Sequence, residues 1–406
     1  MSNYQYLKNT SIASVTGFSD HFIQLVEGDG KVVYKQGDYY SVADKKQIVQ
    51  ISPTTQVPSN LANAQVDFKI ENIIDQIEYV TLQWTYTNNS GGNSSVVAAP
   101  LHLQRIDVTP NGNGILFQTY DQEMYMQNFY LDRNTYESQA SAIGLSPTTY
   151  NDAAVVVPNL GSITLNLPLY GFWKATKLAP YCLTVPILLR TYWNSSNLIQ
   201  LSGLPMTCVD LKLIVRGKSL KNNARNDLMQ IYKDPKIPLS LAHLAVDRQS
   251  NTQLLGPSQN VKFVMTGITG ICAFLVFTVR LAADANSASG QTSFIRMLNF
   301  DILDAQGASC IGFYLRDQQT QQIDYSANYG NQAWLNKGFQ IMSWSNNPRA
   351  AFATGQNNGY FIFTGNEYLT FNTPAGLAND SYIIDVRGYM HESLIGDRGS
   401  LKTTRL

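Results

Sequence analysis

Polar and apolar residues alternate at period two along most of this chain, in short runs rich in Val, Ile, Thr, Tyr and Phe punctuated by Gly, Asn, Asp and Pro. A repeat of two turns one face of an extended segment toward a core and the other toward water, so the pattern predicts antiparallel β-sandwiches. Such runs cover 66–70, 79–87, 101–108, 163–169, 183–189 and 208–215, then 261–264, 273–279, 297–303, 360–364, 368–372 and 382–386. Residues 22–26 and 32–34 read as a hairpin, because Asp29-Gly30 tolerates the positive φ of a tight turn. Helical periodicity is scarce. It is best developed over 224–233, where Leu228, Met229 and Tyr232 share a face before Pro235 and Pro238 stop the run, and a shorter stretch covers 331–337.

The two halves carry the same landmarks in the same order. Leu211 to Gly217 and Tyr382 to Gly388 each close a strand with Val-Arg-Gly. Ile77 to Thr87, followed by Asn88, Asn89, Ser90 and Gly91, parallels Ile271 to Leu281, followed by Asp284, Asn286, Ser287 and Gly290. A strand and a Gly turn come next in each half: 105–108 before Asn111-Gly112, and 299–302 before Gln306-Gly307. Loops between landmarks are shorter in the second half, as expected when loops decorate a fixed sandwich. At 406 residues the chain also exceeds the roughly 250–300 at which one core stops growing. The expectation is an all-β protein with one sandwich duplicated in tandem. An N-terminal extension and first sandwich fill 1–220, a helix and linker 221–256, the second sandwich 257–396, and a basic tail 397–406. Three such chains would set six similar sandwiches around an axis and so imitate a hexagonal tile.

Lys plus Arg equal Asp plus Glu at 29 each. That balance weighs against a nucleic-acid coat, whose affinity rests on excess cations. Charged residues are only 14%, and Asn, Gln, Ser, Thr and 23 Tyr supply the polarity. Amides and hydroxyls cost less to bury than charges, and a solitary monomer draws solubility from a net charge that this chain lacks. Composition therefore favours self-association. Cys182, Cys208, Cys272 and Cys310 lie far apart without metal-ligand spacing and read as buried thiols of a protein made in a reducing cytoplasm. The first residues hold no apolar run of signal-peptide length. The longest apolar stretch, Ile271 to Val279, is about half the roughly 18 residues of a membrane helix.

Gly161-Ser162-Ile163-Thr164-Leu165-Asn166-Leu167-Pro168-Leu169-Tyr170 resembles the late strand of the first jelly roll in tectivirus coats, where a Gly-x-Leu-Thr strand runs into a Pro-Leu-x-Tyr corner. The ending, from Gly359-Tyr360-Phe361 through Tyr368 to Asn372 and on to Tyr389-Met390, is similar to the last strands of their second roll. With the two-copy layout, most of the chain resembles the double jelly-roll major capsid proteins of the tectivirus and adenovirus lineage, coats of icosahedral, often membrane-containing bacteriophages. The resemblance implies two tandem eight-stranded jelly rolls with short helices in linker and loops. It implies a pseudo-hexagonal homotrimeric capsomer in the virion, strands roughly perpendicular to the shell, long loops outward and termini inward. The partners implied are further copies, minor capsid and vertex proteins and an internal viral membrane, with no sequence-specific nucleic acid binding. The N-terminus departs from the pattern, lacking the long Gln- and Ala-rich helix of some tectivirus coats.

No residue set reads as catalytic, cofactor-binding or metal-binding, and the expectation is a protein that is not an enzyme. His21, His102, His243 and His391 are far apart, no G-x-S-x-G elbow occurs, and His102 falls on a strand where a hydrogen-bonded structural role suffices. Asp284, Asp301 and Asp304 could supply oxygens to calcium but read as turn caps. Glu71 with Glu78, and Asp121 with Glu123, are carboxylates of the kind a glycosidase sets across a cleft, with nothing to oppose them. Asn111-Gly112-Asn113-Gly114 lacks the helix and Lys of a phosphate loop. Tyr120, Tyr125, Phe129, Tyr130, Trp173, Tyr181, Tyr192 and Trp193 would stack sugars in the alternative reading, a carbohydrate-binding spike or lectin-like sandwich. Core or permanent-interface burial is the favoured reading of them, since aromatics dominate both and nothing marks a shallow groove. Arg398, Lys402 and Arg405 read as a solvated cationic tail within reach of lipid headgroups or a genome.

Overall fold

A computed structural model describes residues 43–71, 74–110, 114–128, 133–146, 154–169, 171–233, 239–310, 338, 340–344, 359–397 and 399–405. The 22–34 hairpin, the 331–337 helix, His21, Phe129, Tyr130, Arg398 and the first Gly turn at Gly112 lie outside the described residues.

The first half folds as β1 (Ala43–Ile51), β2 (Gln65–Ile70), β3 (Gln76–Thr87), β4 (Ser94–Val96), β5 (Leu103–Pro110), β6 (Phe117–Tyr120), β7 (Val155–Val157), β8 (Ser162–Leu169), β9 (Ile187–Trp193), β10 (Gln200–Ser202) and β11 (Thr207–Leu220). The second contributes β12 (Leu239–Leu255), β13 (Asn260–Val264), β14 (Thr269–Leu281), β15 (Leu298–Leu303), β16 (Gln340–Ser343), β17 (Phe361–Thr364), β18 (Tyr368–Asn372), β19 (Asp380–Asp397) and β20 (Ser400–Arg405). Helices are short: α1 (Asp121–Gln127), α2 (Arg133–Ile143), α3 (Phe172–Thr176), α4 (Ser196–Ile199) and α5 (Asn222–Lys233).

Two four-stranded sheets, β1-β11-β3-β8 and β2-β9-β5-β6, make the first sandwich, with β10-β4-β7 as a small sheet in its connections. Leaving out that small sheet and counting strands within the roll, the orders are 1-8-3-6 and 2-7-4-5. The second half repeats 1-8-3 and 2-7-4. There β12-β19-β14 carries β16 and β17 on its far side, and β13-β18-β15 forms the facing sheet. These are two jelly rolls in tandem, and among the described residues no sheet mixes strands from both. The landmarks read from the sequence fall on equivalent strands. Both Val-Arg-Gly triplets lie in an eighth strand, β11 and β19, each paired with a third strand, β3 and β14. The turn after β15 closes through Gly307 at φ +86, with its N–H donated to the Asp304 carbonyl at 3.0 Å.

Alternation drives the packing where one face is wet: along β9, Ile187, Leu189, Thr191 and Trp193 are buried and the residues between them are not. The apolar run of β14 has another cause. Leu275, Phe277 and Val279 fill the core of the second roll, while Phe274 and Val276 pack into the first roll's cluster, so the strand is buried on both faces and needs no polar side.

Three expectations change. Residues 239–255, read as irregular linker, form the long first strand of the second roll, paired with β19 along its whole length. Asp247 and Arg248 there are held in ion pairs with Arg405 and Asp385. The tail is not simply solvated: β20 pairs with β19, and Arg405 donates two hydrogen bonds to Asp247, that from Nη1 at 2.8 Å. The strand expected over 183–189 begins at Ile187 and runs to Trp193.

Candidate functional site

The roll-to-roll seam is where this fold concentrates its unusual chemistry. The 1-8-3 sheet of the second roll lays one face against the first, and alternate residues on β12, β14 and β19 face that boundary. One half of it is apolar. Phe274 stacks on Tyr389 with ring centroids 4.1 Å apart, and Val276, Ile341, Leu394 and Leu401 join the same cluster. His243 on β12 stands edge-on to Phe172 of α3 at 5.1 Å and lies 3.2 Å from a Glu392 oxygen.

The other half is ionic. Asp385 accepts hydrogen bonds from Arg248 (Nη2, 2.9 Å) and from the wholly buried Arg387 (Nη2, 2.5 Å), and Arg387 Nη2 also reaches Gln122 Oε1 of α1 across the seam at 2.8 Å. Tyr120 packs its ring under the Arg248 guanidinium at 5.2 Å. The segment 120–123 is fixed locally: Glu123 accepts from the Tyr120 N–H at 3.3 Å, and Asp121 from the Gln122 N–H at 2.6 Å. Burial raises both carboxyls, Glu123 to about 7 against the pull of Arg387. Two more ties close the seam: Ala288 N–H to Asn197 O at 3.0 Å, and Thr184 N–H to Gly399 O at 2.9 Å. The arrangement fixes two sandwiches as one block.

The residues weighed in the sequence are dispersed. His102 is buried between Tyr86 OH (3.2 Å) and Val97 O (2.9 Å), and burial lowers it to about 4. Asp304 caps its turn, accepting from Gln306 N–H at 2.9 Å and Ala308 N–H at 2.8 Å, and Asp301 accepts from Ser309 Oγ at 2.9 Å. Among the described residues no group of three metal-ligating side chains assembles. Glu71 pairs with Lys69 and Glu78 with Lys218, on separate strand ends. Tyr125, Trp173, Tyr181 and Trp193 are buried in the first core rather than displayed to a sugar. Arg248, Arg387 and Gln122 carry the seam and were not singled out for it. Arg387 lies in a repeat landmark, and its partner Arg216 in the first roll is exposed over Tyr79, so the triplet alone does not tell the two environments apart.

His102 binds a proton more weakly folded (about 4) than at its ordinary 6.5, so its contribution is complete above pH 6.5 and is lost as pH falls through 4. His391, lowered by burial to about 4, acts with the same sign, and Glu123 opposes both. Denaturant midpoints are expected to fall between pH 6.5 and 4. The loss should be smaller in His102→Gln, by up to about 3 kcal/mol; an unchanged pH slope would contradict it.

No family model matches the sequence, and neither does any curated protein. Solved structures do. A chain of the PBCV-1 virus capsid superposes with a TM-score of 0.65 at 14% identity, covering 93% of this chain and 99% of that one. The Faustovirus major capsid protein gives 0.65 at 10% identity over 96% and 97%. A chain of Sulfolobus Turreted Icosahedral Virus gives 0.54 at 13% identity over 85% and 90%. Matched over nearly the full length of each, this chain has the double jelly-roll fold of viral major capsid proteins.

Proposed function

We propose that the chain is the major capsid subunit of an icosahedral virus, assembling as pseudo-hexagonal homotrimers. The observation that carries this is the repeated strand order: each chain offers two like sandwiches locked in one block, so three chains complete a six-sided unit. A shell subunit of this kind works through extended contacts and needs no turnover. Its units are a first roll over 43–220, a connecting helix over 222–233 and a second roll over 239–405. Capsid proteins of like fold support the reading. Native mass measurement with electron microscopy tests it: six-lobed trimers or shells are expected, and a monomer at high concentration overturns it.

The finer partners follow from the same reading: neighbouring capsomers, minor capsid and vertex proteins, and an internal membrane. Synthesis in the host cytoplasm accords with four free cysteines, of which burial pushes Cys182 up to about 12 and Cys208 up to about 11. The membrane has a candidate contact. Lys174, Lys221, Lys233 and Lys402 are exposed, and α5 is tied to the turn before β20 by the Gly399 N–H to Tyr232 O bond at 3.1 Å. Each contributes about 1 kcal/mol near an anionic surface. The protein is expected to float with phosphatidylserine vesicles at low salt and to lose that binding in Lys174→Glu/Lys233→Glu/Lys402→Glu; equal flotation by both would remove the contact.

A further inference from the structure

The seam is one-sided. The 1-8-3 face of the second roll is covered by α1, α3 and β6 of the first. The first roll has a 1-8-3 face of its own, on β1, β11 and β3. Aligning the two Val-Arg-Gly triplets sets these faces in register. The row Ile48, Arg216, Tyr79 answers to Arg248, Arg387, Val276 of the second roll, and the row Gln50, Ile214, Thr81 answers to Ser250, Asp385, Thr278. Arg387 and Val276 are wholly buried, because the first roll lies over them. At the matching places of the first roll Ile48 is 65% exposed, Arg216 is exposed, and the half-buried Tyr79 ring lies 5.9 Å beneath the Arg216 guanidinium.

A single exposed isoleucine is ordinary on a protein surface. This one falls in the row that the repeat buries in its other copy, beside an arginine over a tyrosine, residue types enriched where proteins meet. The face is also large enough. Four strands about 4.8 Å apart and about eight residues long, at about 3.3 Å per residue, span about 500 Å². Covered on both partners, that reaches the roughly 1,000 Å² a specific interface needs, before loops add to it.

We propose that the β1-β11-β3 face of the first roll docks the second roll of another copy of this chain, head to tail, around Ile48, Arg216 and Tyr79. The inference rests on the shell reading and names the surface through which it works. The chain's own seam sets the pattern: it joins a 1-8-3 face to a different side of the neighbouring roll. A contact of that kind between copies is heterologous and closes into a ring when its rotation allows. Pairing two of these faces with each other is disfavoured, since it would bring the exposed Lys46 and Arg216 of one copy against those of the other.

Native mass measurement of the full chain and of Ile48→Glu/Arg216→Glu tests this. Both residues face water in the single chain, so the variant should melt as the unaltered protein does. It is expected to be monomeric at concentrations where the unaltered protein is a trimer, with association weakened on the order of 100-fold. A variant that trimerises like the unaltered chain overturns the docking face and leaves the shell reading standing, whereas an unaltered chain that stays monomeric overturns both. Amine cross-linking in a mixture of heavy- and light-isotope chains needs no variant. Lys46 is expected to link between copies to residues of 239–405; links between copies from Lys46 only to another first roll would overturn the head-to-tail contact.

Discussion

Asp385→Ala is expected to destabilise the protein by about 3–5 kcal/mol, the cost of leaving a buried cation without its partner. Asp385 is the carboxylate shared by Arg248 and the wholly buried Arg387. Removing it strands the wholly buried Arg387 guanidinium and releases the Arg248 guanidinium, which is partly exposed. Removing Arg387 as well should restore part of the loss: Asp385→Ala/Arg387→Met is expected to be more stable than Asp385→Ala alone, since an apolar pair often replaces a buried ion pair at little cost. Denaturant unfolding of both variants checks the order. A double variant as damaged as the sum of its parts would show that the seam depends on these residues for shape rather than charge.

Gly217→Ala is expected to be the more damaging of two formally equal substitutions. Gly217 and Gly388 both close a Val-Arg-Gly triplet on an eighth strand. A methyl group at Gly217 would overlap the carbonyl oxygen of Gln76 on the neighbouring strand, at a register shift between β11 and β3, and backbone cannot step aside without breaking pairing. At Gly388 the methyl would meet side-chain atoms rather than backbone, Ile268 Cγ2 at 2.8 Å and Met390 Sδ at 3.0 Å, and the unbranched Met390 can shift. Overpacking costs typically 1–3 kcal/mol. Gly217→Ala should reach or pass the top of that range and Gly388→Ala stay near about 1 kcal/mol. Equal midpoint shifts would refute the distinction.

These two cases mark the limit of what a linear reading could reach. The triplets were legible as repeat landmarks because strand order is conserved within the chain itself. Their different surroundings were not, because burial of Arg387 depends on a roll that begins many residues earlier. The same holds for 239–255. It reads as irregular linker after Pro235 and Pro238, whereas Asp247 meets Arg405 and Arg248 meets Asp385, partners 158 and 137 residues away. Helices α1 and α2 were missed for a related reason. Their polar sequences carry little apolar periodicity, and α1 is fixed by the Glu123 contact with Tyr120 N–H, which a polar run does not advertise.

The sequence by itself determined that this is a β protein, that it is doubled, and that its third and eighth strands recur in order. Those follow from period-two alternation and turn chemistry, which are local and survive in one dimension. The tertiary structure decided the rest: that β14 is buried on both faces, that the tail is a strand, and that three arginines converge where two rolls meet. Which side chains lose water depends on surfaces brought together from distant parts of the chain, and that desolvation leaves no mark on the spacing of neighbouring residues.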